Sequence, residues 1–177
     1  MGARWLSALV LTGLLGGCAT NVPEAVRSAP PGNPTVAEVR SEPQRFAGTT
    51  VRWGGTIAAV SNGKSDTEIE VVDRPLESSG RPIDTDKSGG RFIARVKGFL
   101  DPVVYARGRH FTVTGTLAAP QKRAIGKYQY TFPIVDVRAY HMWEPLLQRP
   151  YYHDPFWYYD PWFPYYRPYP WRYGPYW

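Results

Sequence analysis

Five stretches between Thr50 and Trp143 alternate with a period of two, and that period fixes what the chain can build. In TVRWGGTIAAV, Val51, Trp53, Ile57 and Ala59 share one face, with Gly55 between them. In TEIEVV, Thr67, Ile69 and Val71 alternate with Glu68 and Glu70. In RFIARVKGF, Phe92, Ala94 and Val96 point one way and Arg91, Arg95 and Lys97 the other. In HFTVTGTLA, Phe111, Val113, Gly115 and Leu117 alternate with His110, Thr112, Thr114 and Thr116. The last stretch, YQYTFPIVDVRAYHMW, alternates through Tyr128, Tyr130 and Phe132 until Pro133, which predicts a bulge or an edge position there. Successive side chains of a strand point to opposite faces, so five such runs separated by turn residues predict an antiparallel sheet with one buried face.

The segment between the third and fourth runs adds a topology. In LDPVVYARGR, Asp101 can cap a short helix, Pro102 suits its first position and Gly108 can end it. Strand-strand-strand-helix-strand-strand is the order of the five-stranded OB barrel. Small barrels need glycine where strands bend, and Gly54, Gly55, Gly98 and Gly115 fall within the runs. The expected fold is therefore mainly all-β: a small five-stranded OB-like antiparallel barrel with one short helix between its third and fourth strands. A small β-sandwich is the alternative. Ahead of the barrel, Thr35–Phe46 has Thr35 as a candidate N-cap and Val36 and Val39 three apart, which predicts about two helical turns ending before Pro43.

The N-terminus reads as an address. Arg4 is followed by the apolar run Leu6–Leu15 and then by Gly16, Gly17 and Cys18, the layout of a secretory signal peptide. The run is shorter than the roughly 20 apolar residues of a membrane-spanning helix. Leu15-Gly16-Gly17-Cys18 resembles the bacterial lipobox, in which the Cys becomes the N-terminus and is acylated on sulfur and nitrogen. It is the single Cys of the chain, so it has no internal disulfide partner. Several acyl chains on one residue give stable anchoring where one does not. Ala19 stands where an Asp would resemble the signal that retains lipoproteins in the inner membrane, which points to the outer membrane.

These features divide the chain into residues 1–17, signal peptide; 18–34, the lipidated Cys and a flexible Pro-rich tether; 35–146, the barrel domain; and 147–177, an aromatic and Pro-rich tail. The formal net charge of +6 becomes +5 once Arg4 is removed. For an exported protein that balance fits lipopolysaccharide, anionic lipid, cell-wall polymer or another envelope protein as partner, and not nucleic acid. Keeping the protein soluble explains the same charge equally well.

VRWGGTI (51–57), GRP (80–82), GRFIA (90–94), FLDPVVYARGR (99–109), TVTGTL (112–117) and YTFPIVDVRAYHMW (130–143) together resemble the Slp family of outer-membrane lipoproteins, over roughly residues 34–145. The resemblance implies an envelope lipoprotein linked to starvation and stationary phase. It carries no catalytic residue or ligand, and the tail after Pro150 lies outside it.

Catalytic readings find little support. His110, His141 and His153 show no metal-ligand spacing, and no Gly-x-Ser-x-Gly stretch marks a nucleophile. Asp73, Asp101 and Asp136 are the carboxylates that could pair in a small envelope hydrolase acting on cell-wall or lipid material, the alternative function. Asp84-x-Asp86-x-Ser88-Gly89 resembles the start of a calcium loop, but its closing Glu position is Arg95. No metal or cofactor is expected. Lys122, Arg123 and Lys127 make a basic loop between the last two strands, and Arg91, Arg95 and Lys97 a second basic row; both are candidate anion or membrane contacts, or a solvated face.

After Pro150 more than half of the residues are Phe, Trp or Tyr, and six prolines exclude a regular helix or a central strand. Trp157, Trp162, Trp171 and Trp177 are candidate aromatic contacts. The tail can lie at the membrane interface, stack on sugars or partner aromatics, or cover the barrel. The expected role is non-catalytic: binding or structural support in the envelope.

Overall fold

The computed structural model describes residues 21–145. Five strands, β1 (Thr50–Asn62), β2 (Asp66–Asp73), β3 (Arg91–Lys97), β4 (His110–Ile125) and β5 (Tyr128–Met142), close into a barrel in the order β1-β2-β3-β5-β4. Two short helices precede them, α1 (Glu24–Arg27) and α2 (Val36–Ser41). Four seams are antiparallel, as the alternation predicted. The fifth, β3 with β5 through Ile93–Arg95 and Ile134–Asp136, is parallel, so the sheet is mixed. The reason lies in the connections: β4 reaches the ring between β1 and β5, and the β4–β5 hairpin then brings β5 back alongside β3.

The inward faces follow the period. Val51, Trp53, Ile57, Ile69, Val71, Phe92, Ala94, Val96, Phe111, Val113 and Leu117 are buried and fill the interior. Trp53 meets Phe92 edge-on at 5.3 Å between ring centroids, and Phe111 meets Tyr140 at 5.6 Å. Ala59 departs from the expected face and is exposed. The β1–β2 register shifts between Ile57 and Ala59, and one slipped residue sends the following side chains to opposite faces, so Val60 packs on the core instead.

Close approaches explain the glycines of β1 and β4. A Cβ at Gly55 would stand 1.9 Å from Val72 O, and one at Gly115 would stand 2.2 Å from Asp136 O. Pro133 sits where the β4–β5 register jumps from Ala118–Ile134 to Gln121–Phe132, which is the irregularity its missing N–H calls for.

Three expectations change. The segment after Asp101 forms turns rather than a helix. Asp101 Oδ1 accepts from Val103 N at 2.8 Å, and Asp101 O accepts from Val104 N and Tyr105 N. Winding stops there because Val103 and Val104 are β-branched and Tyr105 is drawn onto Phe111 at 6.0 Å. The second change concerns the described part of the expected tether, which lies on the barrel. Val26 is fully buried, Thr114 Oγ1 donates to Ala25 O at 2.5 Å, and Asn33 exchanges hydrogen bonds with the Arg52 backbone at 2.8 and 3.1 Å. Trp53 Nε1 donates to Pro34 O at 2.7 Å. Third, β3 is buried on both faces at Ile93, because the long β4–β5 hairpin lays Phe132 and Ile134 over it.

Thr35 does cap α2. Its side chain accepts from Glu38 N while Glu38 accepts from Thr35 N, a reciprocal capping box.

Candidate functional site

In an OB-like barrel the outer face of β2 and β3 is the usual ligand platform. Here that face carries Glu68 and Glu70 from β2 opposite Arg95 and Ile93 from β3. Antiparallel pairing sets opposite charges side by side, and they pair. Arg91 Nη1 meets Glu70 Oε1 at 2.6 Å. Arg95 lies 3.7 Å from Glu68 and 3.1 Å from Asp136. Arg123, arriving on the β4–β5 hairpin, meets Glu68 Oε2 at 2.7 Å. Glu68 therefore ties together both basic groups read from the sequence.

The hairpin is fastened at a second place. The Tyr130 hydroxyl accepts from Arg91 N and from Arg40 Nη1, both at 2.7 Å, and so joins β5, β3 and α2. The platform is thereby covered by Ile125, Tyr130, Phe132 and Ile134 and by ion pairs.

Of the six basic candidates, Arg91, Arg95 and Arg123 are joined to carboxylates. Lys122 and Lys127 are exposed on the hairpin, and Lys97 is exposed at the end of β3. Past Arg95 and Asp136 the parallel seam ends and the strands diverge. A cleft of ≈ 670 Å³ opens there, lined by Asp66, Arg95, Lys97, Thr116, Asp136 and Arg138 among others. Two carboxylates face it, but Asp136 is held by Arg95, and Asp66 stands across from Lys97 in the strand register.

The other carboxylates read as possible acids are placed apart. Asp101 holds its own turn. Burial pushes Asp73 up to about 6 from its ordinary value, opposed by the Gly89 N–H it accepts at 3.0 Å and more weakly by Arg74. His110 and His141 are held below the ordinary histidine range, chiefly by burial. Among the described residues no group of three His, Cys, Asp or Glu side chains is placed to hold a metal ion. Cys18, His153, Trp157, Trp162, Trp171 and Trp177 lie outside the described residues.

A second junction was not foreseen. Thr112 Oγ1 donates to Gly80 O at 2.7 Å and accepts from Trp143 Nε1 at 2.9 Å, while Gly80 packs against the Val26 backbone. The N-terminal segment, the β2–β3 connection and the end of β5 meet there. Outward threonines at 112 and 114 were visible in the sequence, but nothing local named their partners.

A family model described as "Outer membrane lipoprotein Slp family" matches residues 15–177. The match takes in Cys18 and the aromatic tail, which the residue-level resemblance had left outside. The lipoprotein YeaY of Escherichia coli K12 is 37% identical over 151 residues, covering 85% of this chain and 76% of its own. The outer membrane protein Slp of the same organism is 34% identical over 137 residues, 76% of this chain and 72% of its own. A small single-stranded DNA-binding protein from Streptomyces coelicolor shares 15% identity at a TM-score of 0.35, over 54% of this chain and 92% of that one.

Proposed function

The chain belongs to the outer membrane lipoprotein Slp family, and from that premise we propose that it works without catalysis, as a binding or structural component held on the outer membrane by acyl chains at Cys18. The observation that carries this reading is the barrel itself. Its interior is filled by apolar side chains, and the platform that OB-like barrels offer to ligands is closed by the hairpin and by Glu68 and Glu70. What is left for function is the exterior and the aromatic segment 147–177.

The fixed N-terminal segment supports a close attachment. Ala25 is bonded to Thr114, and Cys18 lies seven residues earlier. Seven residues span at most about 25 Å, so the barrel is held next to the leaflet and not at the end of a long leash. Tyrosine and tryptophan rings suit the head-group layer, so an aromatic segment on such a protein meets lipid or cell wall at short range. A part in adaptation to starvation is the role that goes with the family resemblance.

The test is co-sedimentation of residues 18–177 carrying Cys18→Ser with vesicles of outer-membrane lipid and, separately, with purified cell-wall sacculi, each with and without residues 147–177. Binding lost with the tail identifies the tail as the binding element and names its surface. Equal, negligible binding in all arms overturns the binding reading and leaves a structural role.

A further inference from the structure

The β3–β4 connection leaves three large apolar side chains in solvent. Phe99 is 72% exposed, Val103 85% and Val104 48%. Scattered apolar residues on a surface mean little, but these three share one twelve-residue connection. The loop under them is fastened to the barrel at several points. Gly98 N donates to Ser65 O at 2.9 Å, Leu100 N to Thr67 Oγ1 at 3.0 Å, and Gly108 N to Ile57 O at 2.9 Å. Leu100 is buried and Tyr105 packs on Phe111 and Tyr140. The tip is thus held outward by its own base, and burying it would order little further chain.

Its border is basic. Lys64 in the β1–β2 turn, Lys97 and Arg107 are exposed, and none of them makes an ion pair among the described residues. The nearby acids are Asp101, occupied with Val103 N, Asp66 in the cleft, and Glu70, which shares a groove with Arg107 but is paired to Arg91. An apolar tip ringed by cations matches an anionic bilayer surface, where rings and aliphatic groups enter the acyl boundary and Lys or Arg meets phosphate.

Chain length selects this end of the barrel. Thr114, where the N-terminal segment is fastened, lies four residues along β4 from His110 at the base of the loop, and eleven residues from Ile125 at the hairpin. At about 3.3 Å per residue these are roughly 13 Å and 36 Å, against a leash from Ala25 to Cys18 of about 25 Å. Even at full stretch the leash falls short of the hairpin end, while the loop end lies within its reach. Trp143, just past the end of β5, is fastened at the same end: its N donates to His110 O at 2.9 Å, and Arg109 Nη2 donates to its carbonyl at 3.1 Å.

We infer that the 98–107 loop is a membrane-docking tip, inserting Phe99, Val103 and Val104 into the anionic leaflet that holds the lipid anchor. This rests on the anchored reading above but not on the tail reading.

The full lipidated chain, with Val103→Cys labelled by an environment-sensitive fluorophore, is reconstituted into phosphatidylglycerol-rich vesicles and, in parallel, into phosphatidylcholine vesicles. Lys122→Cys on the hairpin serves as the reference probe, and vesicle flotation is recorded for each sample. The expected result is a blue-shifted Val103 probe, quenched by lipids spin-labelled near the head group and shielded from aqueous iodide at least threefold relative to position 122. The shielding falls in phosphatidylcholine. Flotation with the Val103 probe as iodide-accessible as the Lys122 probe overturns the docking tip while leaving the anchor intact. Failure to float overturns the anchor first. Shielding that persists in detergent and grows with protein concentration makes the tip a contact between copies, which also overturns the proposal.

Discussion

Trp143 donates its indole N–H to the Thr112 hydroxyl at 2.9 Å, and that hydroxyl donates onward to Gly80 O at 2.7 Å. Thr112 and Trp143 are both buried, so neither end has water to fall back on. Thr112→Val keeps the shape and removes both bonds, leaving a buried N–H and a buried C=O unpartnered. Each such group costs about 1–3 kcal/mol, so a loss of roughly 2–4 kcal/mol is expected in urea unfolding. Thr112→Ser keeps the hydroxyl and should recover most of that. A loss under about 1 kcal/mol for the valine variant would mean the junction is dispensable.

The barrel was legible because the core residues recur with a period of two along the strands, most cleanly in β2, where buried and half-buried positions alternate. Phe111, Val113 and Leu117 declare their face by alternation alone. What could not be read is whatever depends on register. Ala59 is wrong by one residue because the slip after Ile57 has no sequence mark. The basic row was visible as a face, and Glu68 and Glu70 were visible as its neighbours, but which carboxylate meets which arginine is a fact of strand pairing. The docked segment 22–34 reads as linker because its partners, Arg52, Gly80 and Thr114, lie far along the chain and its prolines carry no period. Ile93 falls on the face of Arg91 and Arg95, yet it is buried, because the hairpin that covers it is a long-range event.

Asp73 predicts a pH dependence. Burial raises it from 3.8 to about 6 in the fold, so the folded state prefers the neutral carboxyl. Below its ordinary value both states hold the proton and the contribution to stability is complete. Between about pH 4 and pH 6 the unfolded chain loses the proton while the fold keeps it, so stability falls as pH rises, by on the order of 3 kcal/mol, and then levels off. Asp73→Asn can still accept from Gly89 N and has no proton to lose. Its unfolding midpoint should match the parent near pH 4 and exceed it at pH 7. Parallel curves across that range would show that Asp73 is solvated in the fold.

Gly55 gives a sharper test of close packing. The atom nearest an added methyl is Val72 O, 1.9 Å away and part of the β1–β2 ladder, so no side chain can swing aside. Gly55→Ala should separate the two strands and lose roughly 3 kcal/mol or more, seen as insoluble expression or a collapsed melting transition. Gly98→Ala, with open space around it but φ at +87°, should cost only about 1 kcal/mol.

Glu68 is the test of whether the basic face is masked. It receives Arg95 and Arg123 together, from β3 and from the hairpin, and its side chain is 21% exposed. Two half-exposed pairs in one network contribute about 1 kcal/mol, and salt weakens them. Glu68→Gln should therefore lower stability by about that amount at low ionic strength, with faster amide exchange across the hairpin between Gln121 and Tyr130. The same change deprives Arg123 of its carboxylate beside Lys122 and Lys127, while Arg95 keeps its pair with Asp136. Binding of the unlipidated protein to phosphatidylglycerol vesicles should rise several-fold at low salt and return to the parent level at about 0.5 M salt, where the Debye length falls below about 5 Å. If binding stays at the parent level while hairpin exchange quickens, Arg123 was structural only. The anion-facing surface is then confined to the loop end of the barrel, with Lys64, Lys97 and Arg107.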